Sequence, residues 1–191
     1  MDKKLQNLSS FMVPIAIVLG GIIISGAIFA SQNNNGSDVQ GEQTINDPIS
    51  SIDESSVIQE GSFKYQEGST VNLSENGKPV IRLFSTTTCP HCTFIKETFD
   101  GLMSEYVDKG LIEAYHWELD TYDNTLTSEV EGTVPETEWA IYQTFNPNGS
   151  VPTFVFGEKY YRIGNSGKSD LDFEKEEFIR IIDLILEEVE Q

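Results

Sequence analysis

"FSTTTCPHCTFIKETF", residues 84–99, holds both cysteines of this 191-residue chain, with Pro90 and His91 between them. The residues just before, "PVIRLFS" at 79–85, are β-branched and apolar, as an interior strand requires. Beyond the cysteines, Ile95, Phe99, Leu102, Met103, Tyr106 and Val107 recur at helical spacing, and Gly110 is a natural stop. Cys89 therefore falls where a strand gives way to the first turn of a helix. Pro90 takes the favoured first helical position.

Three chemistries compete for such a pair: a metal clip, a structural staple and an electron-trading couple. A staple joins distant segments, because its effect grows with the loop it closes, and these cysteines close almost none. A closed zinc site wants about four ligands. Outside the two cysteines the chain has only His91, inside the motif, and His116. The redox reading fits the position best. A helix start presents unpaired N–H groups and a partial positive charge, and both favour a thiolate at Cys89. His91 adds a charge or a donor beside the same sulfur. Cys92, one turn further on, faces back and can close a ring with Cys89. Attack by Cys89, a mixed disulfide and resolution by Cys92 make one exchange cycle. On this reading Cys89 and Cys92 are the catalytic pair, Pro90 and His91 tune them, and no metal is expected.

The remaining elements follow in order. "SFKYQ" at 62–66 reads as a short edge strand and "LIEAYHWEL" at 111–119 as a second interior one. A polar, acidic stretch covers 120–133, and Pro135 starts a short helix to about Phe145. "TFVFG" and "KYYRIG" form a hairpin around Gly157 and Glu158. The last helix begins near Ser169, with Phe178, Ile181, Ile182, Ile185, Leu186 and Val189 along one face and glutamates on the other. Tyr160 and Tyr161 alternate, which predicts one buried and one exposed ring. Strands alternating with helices give an α/β domain, with a parallel pair joined by a crossover and an antiparallel hairpin.

Charge and hydropathy place this domain. There are 31 Asp plus Glu against 12 Lys plus Arg, a net charge of −19, which repels phosphate backbones and argues against nucleic acid. Residues 11–30, "FMVPIAIVLGGIIISGAIFA", are uncharged and long enough to cross a bilayer as a helix. Lys3 and Lys4 precede this run, while 31–63 contain no Lys or Arg. The positive-inside rule then puts residues 1–10 in the cytoplasm and the bulk of the chain outside. The preferred reading is an uncleaved transmembrane anchor, with a cleaved signal peptide as the alternative. Residues 31–61, lacking aromatics and bases, read as a flexible polar linker, and 62–191 as the folded domain.

The Cys-Pro-His-Cys sequence at a strand-to-helix junction, with "SVPTFVFG" leading into the later hairpin, resembles the thioredoxin superfamily. Within it, the motif looks like that of membrane-anchored, DsbA-type disulfide oxidases. The resemblance covers roughly 62–190 and implies a thioredoxin fold, a mixed central sheet flanked by helices, preceded here by one N-terminal transmembrane helix. It implies that Val151–Pro152 is a cis peptide facing the cysteines, with Val151 and Pro152 docking the client backbone. Two departures stand out. Members commonly carry a buried acid six residues before the nucleophile, where this chain has Leu83, leaving Glu118 or His116 as substitutes. The large helical insertion of DsbA-type enzymes is also absent, and only 120–147 separate strand from hairpin. Asp120, Asp123, Glu129, Glu131, Glu136 and Glu138 in that interval form a candidate negative collar.

The expected function is an extracytoplasmic thiol–disulfide oxidoreductase, an oxidase acting on exported cysteine-containing proteins. A membrane redox partner would reset its disulfide, and it would need no cofactor beyond the Cys89–Cys92 couple. An isomerase or reductase, or an anchored metal-carrying or client-binding module, are the alternatives.

Overall fold

The computed structural model describes residues 54–191. The expected anchor at 11–30, the cytoplasmic 1–10 and the linker up to residue 53 lie outside them. No helix among the described residues is long and apolar enough to cross a membrane.

After a 3-10 turn at Glu54–Ser56, the elements in chain order are β1 (Val57–Glu60), β2 (Phe63–Gln66), β3 (Val80–Ser85), α1 (Pro90–Asp108), β4 (Glu113–Glu118) and β5 (Asp123–Asn124). Then come α2 (Glu136–Phe145), β6 (Thr153–Phe156), β7 (Tyr160–Ile163) and α3 (Leu171–Val189). The strands form one seven-stranded sheet in the order β1-β2-β7-β6-β3-β4-β5. β3 runs parallel to β4 and the other neighbours pair antiparallel. This is a mixed α/β fold with helices on both faces of the sheet.

β3 sits near the middle, and all six of its residues are buried, as its apolar run requires. Ile81 and Leu83 face the α1–α3 side, where they meet Ile95, Phe99, Phe154 and Phe178. Phe84 faces the other side with Trp117, Tyr142 and Val155, under α2. The Phe99 and Phe178 rings meet edge-on at 5.7 Å, fastening α1 to α3. Truncating a ring buried this way typically costs about 3–5 kcal/mol. Gly110 ends α1: at φ +73° it donates to the Val107 carbonyl while Leu111 donates to Tyr106, a left-handed cap that suits glycine.

Four sequence expectations need correction. Residues 57–60 of the supposed linker are a strand, because Val57 to Glu60 pair register-for-register with β2. The last of them, Glu60, is also held by Arg180 of α3 at 2.7 Å. Tyr160 and Tyr161 do point to opposite faces, yet both are buried, since each face of the sheet is covered. The acidic stretch holds the two-residue strand β5, which pairs with Trp117 and Glu118. Finally, two α3 glutamates are interior. Glu174 is fully buried and lies 2.5 Å from Arg162, whose guanidinium is ringed by Phe63, Phe154 and Phe178 at 4.7–5.1 Å. Glu177 accepts hydrogen bonds from Arg180 (3.0 Å) and the Ser62 backbone (2.5 Å).

Candidate functional site

The carboxyl end of β3 and the start of α1 bring the two cysteines together, both as free thiols. Cys89 is the N-cap residue of α1, in extended backbone (φ −83°, ψ 117°), and Pro90 begins the helix as expected. The cap group is sulfur instead of the usual oxygen: Cys89 Sγ accepts the Cys92 N–H at 3.2 Å. No acidic side chain stands in the first turn of α1, so the positive end of the helix is left to this sulfur. Cys89 is partly exposed, whereas Cys92 is 3% exposed. Burial pushes the Cys92 thiol up to about 12; the bond with Cys89 adds to this, and a backbone hydrogen bond from Thr86 works against it. One sulfur is accessible and the other stays protonated inside.

Opposite stands the loop before β6. Val151–Pro152 is a cis peptide, and the Val151 carbonyl lies 3.7 Å from Cys89 Sγ as acceptor of the thiol. Three side chains fix that loop by converging on the Ser150 carbonyl: the Tyr142 hydroxyl (3.1 Å), Asn146 Nδ2 (2.5 Å) and the Thr153 hydroxyl (2.7 Å). Asn146 Nδ2 also donates to Thr153 Oγ1 at 2.7 Å. The C-terminal end of α2 thus positions Val151 from behind.

Beside the cysteines opens a groove of about 550 Å³, lined among others by Pro90, His91, Phe94, Val151, Pro152 and Asn165. All six predicted site residues, Cys89, Cys92, Pro90, His91, Val151 and Pro152, belong to this one locality or to the cysteine loop beneath it. His91 is exposed at the rim, and Asn165 donates to its carbonyl at 3.0 Å.

Sequence reasoning missed several residues that hold the site. Asn165, Asn146 and Tyr142 act through side-chain bonds that no periodicity announces. The collar proves narrower than expected. Glu138 is buried in an ion pair with Arg82 (2.8 Å) and takes a bond from Trp117 Nε1 (3.2 Å), so it faces away from solvent. Asp123 and Glu131 are bound within their own loop, Asp123 by the Glu131 backbone and Glu131 by Thr127 and the Asn124 backbone. Asp120 does reach the cysteine loop, through Thr87.

Leu83 lies wholly in the apolar core. Across the register from it is His116, 1% exposed, with Nε2 at 2.8 Å from Ser85 Oγ and Nδ1 at 2.5 Å from Asp100 Oδ1. That chain satisfies both ring nitrogens and ties α1 to β3 and β4. Glu118 is engaged by Lys96 at 2.7 Å. Among the described residues, no three His, Cys, Asp or Glu side chains gather as metal ligands.

No family model matches the chain, and no curated protein matches it.

Proposed function

We propose that this protein is a thiol–disulfide oxidoreductase of thioredoxin fold, anchored by an N-terminal transmembrane helix with its catalytic domain outside the cytoplasm. The observation that carries the reading is the pairing of an accessible sulfur at a helix N-cap, 3.7 Å from the Val151 carbonyl, with a buried thiol one turn inside the helix. Such an arrangement separates the two roles that exchange requires. The accessible sulfur meets the client, and the buried one closes or reopens the ring.

In the oxidising direction the resting form carries the Cys89–Cys92 disulfide. A client thiolate attacks Cys89 sulfur, the Cys89–Cys92 bond breaks, and Cys92 leaves and takes a proton. A second client thiolate then attacks the client sulfur of the mixed disulfide and releases Cys89 as a thiolate. The client has lost two electrons and the protein has gained them. A disulfide-bearing partner at the membrane takes them up in the reset. Val151 and Pro152 seat the client backbone along the groove, while His91 and Pro90 set the poise. His91 beside the nucleophile favours the reduced form, which ranks oxidation above reduction or isomerisation.

The deciding experiment is the equilibrium of the full-length chain with glutathione buffers. A potential near about −120 mV supports an oxidase and one near about −270 mV a reductase. A pair that stays dithiol across the whole range would end the redox reading.

A further inference from the structure

Residues 164–170 join β7 to α3, and three consecutive members of this loop are tied in three directions. Gly164 turns the chain out of β7 at φ +82°, a conformation that suits glycine, and donates its N–H to the Pro152 carbonyl at 2.8 Å. Asn165 Nδ2 donates to the His91 carbonyl at 3.0 Å. The Ser166 N–H goes inward, to Glu174 Oε1 at 2.6 Å. Glu174 is fully buried, and Arg162 donates both to its other oxygen (2.5 Å) and to Ser62 Oγ (2.7 Å). A buried ion pair adds little net stability over apolar packing, so its use is better sought in what it holds. Here it holds Ser166, next to the residue that reaches His91.

We propose that Asn165 is a positioning residue that fixes the separation of the two walls of the groove, and so makes an extended peptide the preferred substrate over a small disulfide. This inference rests on the thiol–disulfide reading and deepens it. Gly164 and Asn165 line the groove, with Pro90 and His91 on one side and Val151 and Pro152 on the other. The Gly164 bond fastens the loop to the Pro152 side, and the Asn165 bond fastens it to the His91 side. The loop is thus a strut across the groove with its foot on the buried Glu174. The Cys89 thiol also bridges the two sides, through the Val151 carbonyl at 3.7 Å. Once Cys89 enters a disulfide it has no proton to donate, and that bridge is lost. The strut persists through the reaction. A peptide lying between the walls depends on their spacing, whereas a small disulfide that touches only the sulfur does not.

The test mixes the reduced full-length chain rapidly with two disulfides that release the same coloured aromatic thiolate. One is a short extended peptide whose cysteine is capped by the aromatic thiol, and the other is the free aromatic disulfide. In each, the Cys89 thiolate attacks a sulfur, a mixed disulfide forms at Cys89, and the coloured thiolate leaves with the electron pair of the broken bond. Asn165→Leu keeps the branched shape and deletes the donor to His91. Asn165 is half-buried in a loop, and its Oδ1 has no hydrogen-bond partner among the described residues, so the change removes one bond. The expected result is a half-saturating peptide concentration raised about fivefold, the weight of one hydrogen bond, at an unchanged limiting rate. The free aromatic disulfide should react with variant and wild type at the same rate. An unchanged half-saturating concentration overturns the proposal, as does a wild-type rate that never saturates with peptide. Equal slowing with both disulfides also overturns it, since Asn165 would then act on the sulfur and not on the groove. A wild type that releases no colour from either disulfide instead defeats the redox reading itself.

Discussion

The sulfur of Cys89 lies 3.7 Å from the carbonyl oxygen of Val151, a residue 62 positions further along the chain. The contact joins the start of α1 to the loop before β6, on adjacent strands of the sheet. It makes the orientation of one backbone carbonyl part of the chemistry of one thiol.

That carbonyl is set from α2, so Asn146→Ala should disturb exchange without touching either cysteine. Loss of the bonds to the Ser150 carbonyl and Thr153 Oγ1 frees the loop that carries Val151. Displacement by even an ångström can cost up to about a hundredfold in rate. The expected outcome is exchange with a disulfide-bearing peptide slowed by about tenfold or more. Alkylation of Cys89 by a small electrophile, which needs no docked backbone, should proceed at the wild-type rate.

Acid should weaken the protein partly through Glu177. Burial alone would raise this carboxyl, but hydrogen bonds from Arg180 and Ser62 outweigh it and bring it down from 4.5 to about 2. A carboxyl depressed on folding stabilises the native state fully above its unfolded value. The contribution fades as pH falls through the folded value. Wild type should therefore exceed Glu177→Gln in urea midpoint at pH 7, and the gap should close between about pH 4.5 and 2. A gap that stays constant over that window would contradict the assignment.

The buried Arg82–Glu138 pair makes a third prediction. Glu138→Gln leaves the Arg82 guanidinium inside with Glu158, 3.2 Å away, as its remaining anion. Removing one partner of a buried pair typically costs about 3–5 kcal/mol. Glu158→Gln, which leaves the shorter 2.8 Å contact intact, should cost clearly less. Urea denaturation of the two variants checks the order.

How much of this was legible in the chain depends on how local each cause is. β3, α1 and its stop at Gly110 are written in consecutive residues: an apolar run, a helical period and a glycine free to adopt positive φ. Cys89 and Pro90 at the junction follow from the same few residues. The supports of the site are not local. Asp120 meets Thr87 across 33 residues and Asn165 meets His91 across 74, and single polar side chains carry no pattern that would announce a partner. β1 illustrates the other failure. "VIQE" within a polar stretch has little strand signal of its own, and it is ordered by β2 and by Arg180, 120 residues beyond Glu60. The Tyr160–Tyr161 pair illustrates a further limit: alternation tells which side a ring takes and not whether that side is covered, and here both sides are.

The most direct measurement is the intact mass of full-length Cys92→Ser and Cys89→Ser chains after equilibration with oxidised glutathione. The account predicts a stable single adduct on Cys89 in the first variant and almost none on the buried Cys92 in the second. Equal labelling of both cysteines, or none on Cys89, would contradict it.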